Sequence, residues 1–183
     1  MGLLLTFSPF LAFLLGQHLW GPVAALCAGA AAAVALVVRE RLRGAREVRV
    51  LEAGTAVLFG ALACCAAFGT GATWSVGLVR LVVDGGLMLL VLSGIALGRP
   101  FTLALARAKV TPERAATAGF LRLNRQVAAA WAGAFGVLAL ADLVLILQPA
   151  WPLAIPVTIS AVGVLAALKL TRWLPARATR RGA

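Results

Sequence analysis

Across 183 residues there is one histidine, no tyrosine and only six acidic side chains. A lone histidine, His18, cannot form an HExxH pair or any other histidine cluster, so a zinc enzyme is not expected. Nor does it leave nitrogen ligands to hold haem or pigment. There is no GxSxG elbow and no glycine-rich loop ending in a phosphate-binding lysine, since the lysines are Lys109 and Lys169 alone. The three cysteines, Cys27, Cys64 and Cys65, fall within apolar stretches, where they act as small apolar residues and build no secreted-type disulfide framework. No catalytic residue, no cofactor site and no metal site is expected, and the chain is not expected to be an enzyme.

What the chain has in abundance is hydrocarbon. Hydrophobic residues make up 62% and charged residues 13%, and the mean hydropathy is +1.00, values a soluble domain of this size could hardly hide from water. Six apolar stretches can be drawn, at residues 2–16, 20–38, 51–69, 75–97, 127–147 and 152–171. Roughly 20 helical residues cross a hydrocarbon layer of about 30 Å, so the last five suffice and the first is short. The expectation is an all-α polytopic membrane bundle of six transmembrane helices. Its alternative has five, with residues 2–16 as a re-entrant segment around Pro9.

Lys and Arg alternate with these stretches. Of 17, five fall in residues 39–49, six in 99–125 and five in 169–181, and the remaining one is Arg80 within a stretch. Basic residues are retained on the cytoplasmic side during insertion, so both termini and the loops at 39–50 and 98–126 are read as cytoplasmic. The opposite joins, near Gln17–Gly21, Thr70–Trp74 and Gln148–Trp151, carry no full charge. Trp20, Trp74 and Trp151 stand at that outer boundary and Trp173 at the inner one, as indoles favour the interface. A cleaved signal peptide is not expected, because no basic n-region precedes the first stretch.

The net charge of +11 does not point to nucleic acid, because no reading module interleaves aromatics with the arginines. Anionic phospholipids suit it better, with Arg39, Arg41, Arg43, Arg99, Arg107, Lys109, Arg122 and Arg125 facing lipid. Residues 1–175 are read as one transmembrane bundle domain with a cytoplasmic interfacial segment at 99–125, and residues 176–183 as a basic tail. Within that segment, Pro100 closes the fourth stretch. Residues 101–109 then place Phe101, Leu105 and Ala108 on one helical face, and Thr111-Pro112-Glu113 reads as a helix start with Thr as N-cap. Two short surface helices against the inner leaflet are expected, with a solvated connector as the alternative.

Small residues at four-residue spacing let helices approach closely in lipid. The rows are Ala56, Gly60, Cys64; Gly94, Gly98; and Ala128, Ala132, Gly136, with Gly133 beside the last. Packing within the bundle is the first expectation; contact with a second copy or another membrane protein is the alternative.

Arg80 and Asp84 stand four apart, on one helical face, and ionisable groups at membrane depth face a bundle interior, a cavity or each other. Counted from the adjacent boundaries, Arg80 lies roughly 9 Å deep and Asp142 roughly 8 Å. An Arg80, Asp84, Asp142 polar cluster is therefore expected. It is either an ionic clasp docking the fourth and fifth spans, a proton or cation carrier centred on Asp84, or a contact for a lipid or substrate headgroup. Asp84-Gly85 opens like the lipid alcohol phosphotransferase signature, but the paired downstream aspartates of that signature are missing, so that class is rejected.

Ser8-Pro9-Phe10-Leu11-Ala12-Phe13, Gly98-Arg99-Pro100, and Leu123-Asn124 followed by Trp131-Ala132-Gly133-Ala134-Phe135 occur in this order. In these motifs and in length the chain resembles the intracellular septation protein A family of bacterial inner-membrane proteins. The interval from Asn124 to Trp131 is about one helical turn longer here, and Asp142 is similar in placement to an asparagine of that family. The resemblance implies a non-enzymatic scaffold or accessory role in cell-envelope maintenance or division through other inner-membrane proteins, and it supplies no catalytic residue. A small ion- or proton-coupled carrier using Arg80, Asp84 and Asp142 is the rival expectation. An accessory subunit of a respiratory or photosynthetic complex is the third.

Overall fold

A backbone surrounded by hydrocarbon must satisfy its own hydrogen bonds, which leaves the helix as the structure open to long apolar runs without strand alternation. In the computed structural model, which describes residues 7–42, 50–69, 74–107, 110–152 and 154–181, helices form and no strand occurs among the described residues. They are α1 (Ser8–Trp20), α2 (Pro22–Leu42), α3 (Val50–Phe68), α4 (Val76–Ala96), α5 (Phe101–Arg107), α6 (Pro112–Ala115), α7 (Ala118–Leu147) and α8 (Ala154–Arg181). Five of these, α2, α3, α4, α7 and α8, are long and apolar enough to cross a membrane. The chain is thus a polytopic helical bundle by its elements. The first predicted stretch appears as the 13 residues of α1, about 20 Å of helix against a hydrocarbon layer of about 30 Å.

The chain divides into two compact units, Met1–Val83 and Asp84–Ala183, with the division inside α4. In the first unit, α1 and α2 form a hairpin whose join is a single residue, Gly21, at φ 85°. Pro9 falls in the first turn of α1, where its missing N–H breaks no helical bond, rather than inside a span as the sequence suggests. Glycine lets α1 and α2 touch: a Cβ on Gly16 would stand 3.0 Å from the Ala25 Cα. Across from α2, the ring of Phe59 on α3 fills the gap left at Gly29. That ring is wholly buried and lies 5.7 Å from the ring of Phe13 on α1. An aromatic pair of this kind contributes about 0.5–1.5 kcal/mol beyond its burial.

In the second unit, α4 ends in a Schellman cap. Arg99 N–H donates to the Gly94 carbonyl at 2.9 Å and Gly98 N–H to that of Ile95 at 3.1 Å, with Gly98 at φ 70°, the left-handed position that glycine takes without strain. Gly94 and Gly98 therefore shape a helix end, not a helix seam. Beyond Pro100, the first turn of α5 is not laid on a membrane surface: Phe101, Thr102 and Leu103 are buried. The Thr102 hydroxyl donates to the Asn124 carbonyl at 2.9 Å, while Asn124 Nδ2 donates to the Phe120 carbonyl at 2.9 Å. Leu105 is half-buried, and Ala108 lies outside the described residues.

One turn of helix, α6, follows. Thr111 occupies its N-cap position with Pro112 next, as expected, but the Thr111 side chain caps nothing. Thr117 does cap α7, accepting from Phe120 N–H at 3.3 Å. From there α7 runs unbroken for 30 residues, so residues 118–125, expected in the interfacial segment, belong to the same helix as the fifth span. Similarly α8 continues to Arg181 through Pro175, carrying helix into the expected tail. The two long helices are pinned where the Trp131 indole N–H donates to Thr171 Oγ1 at 3.0 Å. Thr171 in turn donates to the Ala167 carbonyl at 2.8 Å. Near the other end, a Cβ on Gly163 would meet Leu138 Cδ1 at 3.2 Å.

Candidate functional site

Half of the six acidic residues are buried among hydrocarbon side chains: Glu52 at 4%, Asp84 at 3% and Asp142 at 0% exposure. A charge taken out of water costs several kcal/mol unless another group answers it, so these positions deserve explanation before any exposed one. Their burial follows from helical spacing. On α7, Val127, Trp131, Phe135, Leu138 and Asp142 repeat at three and four residues and all are buried. On α4, Val79, Val83, Leu87 and Val91 make the same kind of stripe, and Asp84 lies beside it.

Within the second unit the relation between Asp84 and Asp142 can be built from contacts. Thr102, beyond the end of α4, reaches Asn124; twelve residues up α7, a Cβ on Gly136 would meet Met88 Sδ at 3.2 Å. As α7 rises, the facing chain runs backward, so α4 and α7 are antiparallel. From the Met88–Gly136 contact, Asp84 is four residues on and Asp142 six residues on in the same direction, about 6 and 9 Å at 1.5 Å per residue. The two carboxylates thus stand within about one turn of the same level on facing helices. Arg80 falls on the first unit's side of the division in α4 and is half-buried there. The helix passes through Gly85 and Gly86 without interruption.

Glu52 is the buried carboxylate that sequence reasoning passes over. It opens α3 on the stripe Glu52, Thr55, Phe59, Ala63, Ala66, and the Thr55 hydroxyl donates to its carbonyl at 3.0 Å. The signal was present: an acidic residue three and seven places ahead of Thr55 and Phe59 shares their helical face.

Of the glycines expected to pack helices, Gly136 meets a neighbouring helix. At Gly60 and Gly133 an added Cβ would find nothing within 4 Å, so these two faces are open. The close approaches use Gly16, Gly29 and Gly163 instead, glycines that do not stand in the four-residue rows.

The basic residues expected to face lipid are placed as follows. Arg39 is half-buried and Arg41 exposed in the last turn of α2; Arg107 is exposed at the end of α5, and Arg99 is exposed in the turn after α4. Arg122 and Arg125 are exposed in the first turns of α7. Arg43 and Lys109 lie outside the described residues. Trp20 closes α1 rather than opening a span, and the backbone of His18 lies in the last turn of that helix, not in a loop. Trp173 carries the Arg177 guanidinium over its ring at 4.8 Å. Outside the spans, the Glu113 carboxylate is held below its ordinary pKa, first by the Glu113 backbone N–H and then by the Thr111 hydroxyl.

No group of three or more His, Cys, Asp or Glu side chains able to hold a metal occurs among the described residues. Five long apolar helices, with buried carboxylates on three of them, define a multi-pass helical membrane protein. No protein-family profile, curated protein or solved structure matches the chain.

Proposed function

We propose that this protein is a non-enzymatic component of a bacterial cell inner membrane, with both termini cytoplasmic, acting as a scaffold or accessory subunit in cell-envelope maintenance or division. The distribution of arginine supports the orientation. The resemblance to septation protein A in the motifs around Pro9, Pro100 and Trp131 supports the role, and partners are anionic phospholipids and other membrane proteins. One observation carries the choice between scaffold and carrier: Asp142 is fully buried and Asp84 nearly so. A carrier group must meet water from each side in turn, whereas a clasp between helices is best sealed. Polar groups in such seams contribute about 0.6 kcal/mol each on average, up to about 1.7, enough to fix how a bundle docks.

Asp84→Asn and Asp142→Asn are accordingly expected to lower thermal stability in detergent and the yield of co-purified membrane partners. Proteoliposomes of the wild type should show no proton or cation flux above empty vesicles. Flux in the wild type that vanishes in a folded Asp84→Asn variant would favour the carrier and defeat this reading. For orientation, an impermeant thiol reagent applied to intact cells should tag Gln148→Cys and spare Arg125→Cys in a background without the native cysteines; the reverse pattern overturns the topology.

A further inference from the structure

Where α4 turns into α5, a cavity of about 380 Å³ opens against the start of α7, lined by Gly98, Pro100, Ala118, Leu121, Arg122 and Arg125. From this geometry we infer a binding site for the phosphate headgroup of an anionic phospholipid. Arg122 and Arg125 are three apart, so their guanidinium groups rise from neighbouring positions on one side of α7. Neither makes an ion pair with a carboxylate among the described residues. They stand in the second and third turns of a 30-residue helix whose first residue, Ala118, also lines the cavity, so the positive end of the helix dipole adjoins it. Arg39, Arg41 and Arg107, by contrast, occupy helix C-terminal turns where the dipole favours them. Two cations and a helix N-terminus around one hollow concentrate positive potential that an anion relieves, and guanidinium matches a phosphate through paired N–H donors.

The rest of the cavity selects a lipid over a soluble anion. Its other walls are Pro100, Ala118 and Leu121, and Leu97 stands 68% exposed at the adjoining turn. Such a lining offers apolar surface beside the charge, as a glycerophospholipid requires. The cavity also sits where α4 ends, at the border of the apolar span. The site rests on the membrane placement proposed above only in calling that border the cytoplasmic one.

The test titrates the purified full chain in detergent with short-chain phosphatidylglycerol, using phosphatidylcholine as the neutral lipid and inorganic phosphate as the soluble anion, read by native mass spectrometry. Saturable binding of one phosphatidylglycerol is expected. Arg122→Gln combined with Arg125→Gln should weaken it about thirtyfold, taking about 1 kcal/mol per arginine. Arg39→Gln with Arg41→Gln, the same charge removed elsewhere, should leave it unchanged. Leu121→Glu, which puts a carboxylate into the hollow while both arginines remain, should abolish it and decides the matter if the double variant fails to fold. Equal binding of phosphatidylcholine, displacement by inorganic phosphate at equal concentration, or equal loss in the Arg39 and Arg41 variant would each overturn the site. Binding in detergent does not depend on which side the cavity faces, so failure here is distinct from failure of the topology.

Discussion

Alanine at Gly29 and alanine at Gly60 should move stability in opposite directions, although both replace a glycine inside a membrane helix. At Gly29 the new methyl would stand 2.8 Å from Cδ1 and 2.9 Å from Cε1 of Phe59, well inside the roughly 3.5–4.0 Å at which carbon atoms rest. The ring cannot retreat, being wholly buried and backed by Phe13 at 5.7 Å, so α2 and α3 must part. Overpacking of this kind costs about 1–3 kcal/mol. Both substitutions gain about 0.5–1 kcal/mol from replacing glycine within a helix, and at Gly60, with nothing within 4 Å, that gain stands alone. The common term cancels, leaving the variants separated by the overpacking alone, about 1–3 kcal/mol. Unfolding in mixed detergent and SDS, followed by circular dichroism, measures the difference, and Phe59→Leu should restore much of the loss at Gly29. If the two variants agree within about 0.5 kcal/mol, the range of an inconsequential substitution, the account of the α2–α3 contact is wrong.

Two further outcomes are expected. In a double-mutant cycle of Trp131→Phe and Thr171→Val, the 3.0 Å bond between α7 and α8 should appear as a coupling of about 0.6 kcal/mol, up to about 1.7; strictly additive losses would show that the bond contributes nothing. The lowered pKa of Glu113 means its contribution to the turn at α6 is present above the ordinary carboxylate range and is lost as pH falls through the depressed folded value. Thr111→Val should raise that pKa in an NMR titration of the Glu113 side chain, and an unchanged titration would remove the Thr111 hydroxyl as a cause.

Hydropathy and arginine spacing made the spanning helices legible, because the cost of exposing backbone to lipid leaves so little choice of structure. The burial of Asp84 and Asp142 was legible too, since ionisable groups within a span turn away from lipid. The helix contacts were not. Four-residue rows of small residues mark faces that can approach closely, but which glycine receives a ring depends on a partner far away in the chain, as Phe59 is for Gly29. Glu52 was missed because near the end of a predicted span an acidic residue reads as solvated, although its spacing puts it on the helical face of Thr55 and Phe59. The start of α7 was hidden because Arg122, Asn124 and Arg125 break the apolar run while leaving the helix intact, the two arginines exposed and Asn124 buried where the Thr102 hydroxyl donates to its carbonyl.

Helices α7 and α8 are longer than the oily slab requires. At about 45 and 42 Å against about 30 Å, each has a surplus of roughly 10–15 Å. It gathers at one end, where α7 begins with Arg122 and Arg125 and α8 finishes with Arg172 and Arg177. The Trp131–Thr171 bond ties the pair just below it, and Pro175, lacking a backbone donor, interrupts the ladder of α8 alone. A slack tether would absorb any motion of the embedded helices. A hydrogen-bonded pair instead passes a tilt of one helix on to the other through the Trp131–Thr171 contact.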